Sequence, residues 1–109
     1  MKLYHVTDKA NLDSINTNGL LKDRAVNKRK AVWAVTSSAV AWALLHTLNK
    51  PRAKGRTIAD HVVIELSIPN SWTRGFHTRR IHWIPRDVPT SRFVKITEAA
   101  DMAAEYPTN

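Results

Sequence analysis

The stretch Leu3-Tyr4-His5-Val6-Thr7, followed by Asn11-Leu12, Ser14-Ile15 and Gly19-Leu20, decides how the rest of the chain is read. Leu3 to Thr7 alternates apolar and polar positions with aromatic and β-branched members, so it suits a short strand carrying His5 on one face. Thr7 or Asp8 then caps a short helix whose apolar side is Leu12, Ile15 and Leu20, and Gly19 supplies a left-handed stop after it. A strand that presents one histidine and turns at once into a capped helix makes a fixed ledge for a ligand.

Ala31 to Thr36 reads as a buried strand, and Ser37 or Ser38 caps the next helix, Ala39 to Asn49. In that helix Trp42, Leu45 and His46 with Leu48 or Asn49 follow three-and-four spacing, which predicts that this face packs on the sheet and that Trp33 and Trp42 are buried. Pro51 ends it. His61 to Ile68 is a nearly continuous apolar strand stopped by Pro69-Asn70-Ser71, in which Glu65 is either outward-facing on a one-sided strand, the favoured reading, or a buried acid with a paired partner. Trp72 to Thr78 reads as a loop with an aromatic and basic surface. Arg79 to Ile84 resumes an extended alternation, Pro85 to Pro89 forms a turn, Phe93 to Ile96 is a last strand, and Thr97 or Glu98 starts a final helix through Met102. The tail from Tyr106 is expected to fray. Strand, helix, strand, helix and then mostly strands predict a compact α+β fold, one domain over residues 1–109, and not a doubly wound sheet.

Composition narrows the chemistry. The chain has no cysteine, which excludes disulfides and thiolate catalysis, and no apolar run of membrane-spanning length, so a cytoplasmic protein that does not enter a membrane is expected. The formal charge of +8 in 109 residues creates a field that attracts phosphates, nucleic acid or an acidic protein surface. Much of it sits in two segments without apolar periodicity, 21–30 and 50–56, expected as exposed loops. The second lacks the two spaced glycines of a phosphate loop, but Arg52 and Arg56 have the forked donors that phosphate binding uses. The five histidines show no ligand spacing that favours a metal site, and the Ser37-Ser38 pair is better explained by capping than as a nucleophile. What remains is His5 on the first strand, Arg29 in one loop, Arg52 or Arg56 in the other, and the polar corner Thr36-Ser37-Ser38. Arginines and a helix start neutralise a pyrophosphate while a histidine orients ribose hydroxyls, so the grouping suits a nucleotide-like ligand.

Leu3-Tyr4-His5-Val6-Thr7 with Leu12, Ile15, Gly19 and Leu20 resembles the opening of the ADP-ribosyltransferase fold. Arg29-Lys30-Ala31-Val32-Trp33, and His82-Trp83-Ile84 leading to Val88-Pro89, look like later segments of its RNA 2′-phosphotransferase branch. The resemblance runs in order over residues 3 to 96. It implies two small sheets enclosing a cleft for NAD, with two to three short helices. His5 with Thr7 would hold a ribose, Arg29 and Arg52 or Arg56 the phosphates, and Trp33, Thr36 and Ser37 the nicotinamide side. Transferases of this family that modify proteins or DNA carry a glutamate where this chain has Arg80-Ile81-His82-Trp83, and the phosphotransferase branch has a histidine where Trp33 stands. Glu65 is then the candidate displaced acid, beside His5 and Arg29 as the other candidate catalytic residues. Two functions follow as expectations: NAD-dependent transfer of ADP-ribose to a phosphorylated, nucleic-acid or protein acceptor, or a non-catalytic protein of the same fold that grips nucleic acid or an acidic protein partner.

Overall fold

The computed structural model describes residues 1–24, 30–76 and 80–105, apart from the side chains at 52, 75, 76 and 103–105. Its strands are β1 (Lys2–Asp8), β2 (Val32–Val35), β3 (His61–Ser67), β4 (Arg74–Phe76), β5 (Ile81–Ile84) and β6 (Phe93–Glu98). The described helices are α1 (Leu12–Asn18), α2 (Val40–Leu48) and α3 (Ala99–Glu105), joined by short 3-10 turns. The radius of gyration, 12.9 Å, is that of one compact body of this length.

The strands form one antiparallel sheet in the order β4-β5-β2-β1-β3-β6. The central strands are covered on both faces, which is why β3 reads as an almost unbroken apolar run. Alternation along β1 and β3 sends Leu3, Ile64 and Leu66 into a core with Ile15 and Leu20 near α1. Their neighbours Tyr4 and Val63 enter a second core with Val40, Ala43 and Leu44 of α2 and with Ala99 and Met102 of α3. The predicted alternation of strand and helix is therefore observed, with a helix on each side of one sheet.

Two small sheets were the expectation from the resemblance, and here the described strands join. The join is thin. β1 meets β3 at seven consecutive residue pairs but meets β2 at Tyr4↔Val35 alone. Beyond that pair the His5 side chain stands where a ladder bond would continue, and its Nδ1 lies 2.7 Å from the Trp33 carbonyl oxygen. The sheet is thus nearly divided into β4-β5-β2 and β1-β3-β6, and it opens along the β1/β2 seam.

The face of α2 differs from the one its spacing predicts. Val40, Ala43 and Leu44 are buried, whereas Trp42 is 47% and Leu45 52% exposed. Ala39 and Ala43 are small, so the helix docks closely on the sheet through them and the bulky Trp42 is displaced to the rim. Ser37 and Ser38 do not cap α2. They begin a 3-10 turn ahead of it, where Thr36 Oγ1 and Ser38 Oγ share a 3.1 Å hydrogen bond. Glu65 is also not outward: it is 8% exposed on β3, opposite Tyr4 and Lys95, with Lys2 Nζ 4.0 Å from its carboxylate. The last strand runs two residues longer than expected, to Glu98, and α3 follows it directly.

The first turn uses the expected residues, Asp8 and Gly19, but differs from expectation at both. Asp8 accepts a 2.8 Å bond from the Ala10 amide and so caps the 3-10 turn that leads into α1. Gly19 ends α1 with φ 76° and ψ −168°, a region open to glycine rather than the ordinary left-handed helix stop. The reason is crowding. Leu20 exchanges backbone hydrogen bonds of 2.9 and 2.8 Å with Val88, and a Cβ on Gly19 would overlap the Val88 carbonyl oxygen. The sequence from the first helix to the turn at Val88-Pro89 is thereby closed over the core.

Candidate functional site

Where β1 and β2 part, the fold holds a cleft of about 780 Å³ with α1 on one side and α2 on the other. This lies in the range of small-molecule and cofactor sites. Its floor is β1 from Tyr4 to Asp8 facing Ala31 to Val35, and its flanks are Asn11 and Ser14 from the first turn and Trp42, His46 and Thr47 from α2.

His5 is half-buried in this cleft. A carbonyl oxygen only accepts, so the bond to Trp33 is donated by His5 Nδ1–H, which makes Nε2 the acceptor nitrogen whenever the ring is neutral. The ring orientation is therefore set by the strand opposite. Thr7, 8% exposed, accepts a 3.1 Å bond from Asn11 Nδ2, which ties the ledge to the first turn. Trp33 lines the cleft with one face of β2, and its neighbour across the sheet is Trp83.

The expected phosphate ligands fall differently. Arg56 does not line the cleft; its Nε and Nη2 grip Asp8 at 2.7 and 2.6 Å, and Asp60 lies 3.9 Å away. The forked guanidinium holds the Asp8 carboxyl down at about 2, helped by the Ala10 amide, and Asp8 raises the Arg56 pKa in return. Asp60 is likewise lowered, first by its bond from the Thr57 amide. This cluster pins the 50–60 segment to the end of β1 and leaves Arg56 a structural role. The side chain of Arg52, and Arg29 altogether, lie outside the described residues. Thr36 and Ser37 stand beyond the cleft, at the turn where the Thr36 amide bonds to the Arg80 carbonyl. Glu65 is also outside it, so the structure brings together His5, Thr7 and Trp33 among the described candidates.

Cleft residues that sequence reasoning passed over are Asp8, Arg24, Trp42, His46, Lys50 and His61. Arg24 and Lys50 bring two cations to the rim in place of Arg56. Trp42 and His46 stack with their ring centroids 4.9 Å apart and 13° between planes, forming an aromatic platform beside the opening. Their four-residue spacing was visible as a helical pair; its exposure was not. His61, 2% exposed, lies within 2.7 Å of the Thr57 carbonyl oxygen through Nδ1. On β5 only Ile81 reaches the cleft, while His82 is buried with its Nδ1 3.0 Å from Thr73 Oγ1. Asp8 is thus the one carboxylate lining the cleft among the described residues. No group of three potential metal ligands occurs among those residues, and no described helix is long and apolar enough to cross a membrane. No family model matches the chain, and no curated protein shows significant similarity to it.

Proposed function

We propose that this protein binds NAD in the cleft between β1 and β2, as an ADP-ribosyltransferase-like protein. The observation that carries the reading is the parting of the sheet at His5, which opens a cleft of cofactor size against a histidine whose ring orientation is set by the Trp33 carbonyl. In this reading His5 Nε2 accepts from a ribose hydroxyl, and Arg24 and Lys50 meet the pyrophosphate. Trp33 walls the nicotinamide half, and the Trp42–His46 pair offers a face to an aromatic ring. In a transfer, the bond from ribose C1′ to the nicotinamide nitrogen breaks with its electron pair leaving on nicotinamide. An acceptor oxygen on a phosphorylated, nucleic-acid or protein acceptor then bonds to C1′ through an oxocarbenium-like state.

One feature favours binding over fast turnover. The cleft's described carboxylate, Asp8, is already gripped by Arg56, and Glu65 lies elsewhere, so little uncommitted negative charge faces a developing cation. The proposal is therefore a NAD binder whose glycohydrolase activity is slow or absent. Titration calorimetry with NAD tests it: binding in the micromolar to millimolar range that weakens in His5→Ala, with the circular dichroism spectrum retained, is the expected result. Absence of heat at millimolar NAD would sink the reading.

A further inference from the structure

A second cationic site lies away from the cleft, around Trp72. The indole is partly buried and packed against the core beneath α1, so the ring position is set by the fold. The Arg86 guanidinium carbon is 3.7 Å from its centroid and that of Arg92 is 4.9 Å away. A third arginine, Arg74, folds back on the same turn, with Nη1 3.2 Å from the Thr73 carbonyl oxygen and 3.4 Å from that of Ser71. None of the three forms an ion pair among the described residues; the nearby Asp87 instead accepts from the Lys22 amide. Arg86 and Arg92 come from separate segments onto one ring, and Arg74 sits on the turn that carries that ring; like charges brought together in this way are mutually unfavourable unless an anion joins them. Because the ring already holds two of them in place, little side-chain freedom remains to be lost when one does.

From this we infer that Trp72, Arg74, Arg86 and Arg92 form a docking site for the phosphodiester backbone of a single-stranded nucleic acid. A small anion is met by one or two guanidiniums, whereas a chain of phosphates engages all three at once. Arginine planes over an indole also provide surfaces on which an unpaired base stacks, which duplex DNA does not offer. The +8 charge of the chain adds long-range attraction to the same partner. The site is separate from the NAD cleft, and it stands or falls independently of that reading.

Fluorescence anisotropy with a labelled 12-nucleotide single strand, over 50 to 200 mM KCl, tests the inference. Wild-type protein should bind, with affinity falling as salt rises. The double variant Arg86→Gln/Arg92→Gln should bind at least fivefold more weakly at 100 mM salt and lose roughly 1.4 from the log–log salt slope, at about 0.7 per phosphate contact. Arg86→Lys/Arg92→Lys should retain most of the slope but lose affinity, because charge persists while stacking does not. Lys9→Gln/Lys54→Gln removes equal charge at the far end of β1 and should change affinity less than twofold. NAD binding should be unchanged in all three variants. The inference is overturned if wild type does not bind, if the Lys9/Lys54 control loses as much as the Arg86/Arg92 pair, or if polyglutamate competes as well as the oligonucleotide, which would mark an acidic protein as the partner.

Discussion

Replacing Asp8 by asparagine removes one charge while leaving a side-chain oxygen to cap the Ala10 amide, so it isolates the contribution of the Arg56 grip. The folded carboxyl is held at about 2 against an ordinary 3.8. At about 1.36 kcal/mol per unit this sets a ceiling of about 2.5 kcal/mol. The Asp8 side chain is 24% exposed and that of Arg56 38%, so solvent and salt screening reduce the contribution to about 1 kcal/mol. Because the folded pKa is depressed, the stabilisation is fully present above the unfolded value of 3.8 and disappears as pH falls through 2; about half is gone by pH 3. Urea denaturation of wild type and Asp8→Asn should therefore differ by about 1 kcal/mol at pH 7, by about half as much at pH 3, and by less at either pH in 0.5 M salt. The melting temperature at neutral pH should fall by about 5 °C. A gap that is the same at pH 7 and pH 3, or that survives when Arg56→Gln is present in both proteins, would refute the assignment of Asp8 to this pair.

Gly19→Ala should destabilise the fold by about 2 kcal/mol or more, since the new methyl meets the Val88 carbonyl in a backbone region that alanine avoids; thermal melts check this, and a neutral result would mean the Leu20–Val88 bridge readily shifts. Among single-tryptophan variants, acrylamide should quench Trp42 most strongly, ahead of Trp33 and Trp72, because Trp42 is 47% exposed at the cleft rim; protection of Trp42 by NAD would place the ligand beside it, and quenching unaltered at saturating NAD would place it elsewhere. Glu65→Gln should leave NAD affinity within twofold of wild type and leave any slow turnover unchanged, as Glu65 lies outside the cleft; a turnover loss without a loss of binding would return the acid role to Glu65.

The sequence showed the elements whose patterns are local. The alternation from Leu3 to Thr7, the apolar run from His61 and the Asp8 cap each depend on neighbours a few residues away, and each appears where expected. Patterns fixed by partners distant in the chain were not legible. Three-and-four spacing places Trp42, Leu45 and His46 on one side of α2, but only the sheet determines whether that side or the smaller Ala39–Ala43 side faces inward, and close approach favours the small one. A carboxylate that interrupts an apolar strand reads first as outward-facing and only second as buried beside a partner. The burial of Glu65 follows from β3 lying between β1 and β6, with Lys2 and Lys95 brought alongside from either neighbour.

The same division explains the site. His5 was legible as a lone polar position on a strand, and it does reach the cleft; the cause of the cleft was not, because the Trp33 carbonyl it binds is 28 residues away. Arg56 shows the opposite case. As a residue type in a basic loop it suited phosphate, yet the 48-residue return of the chain sets Asp8 against it before any ligand arrives. With the Nε and Nη2 edge held by the Asp8 carboxylate at 2.7 and 2.6 Å and Nη1 3.9 Å from Asp60, Arg56 offers that edge to phosphate only by breaking the Asp8 pair, at the loss of the contribution worked out for Asp8→Asn. Arg24 lines the cleft and Arg56 does not, so on the proposed NAD reading phosphate recognition is expected of Arg24 while Arg56 keeps the loop in place. On that argument Arg24→Gln weakens NAD binding with little change in melting temperature, and Arg56→Gln lowers the melting temperature first.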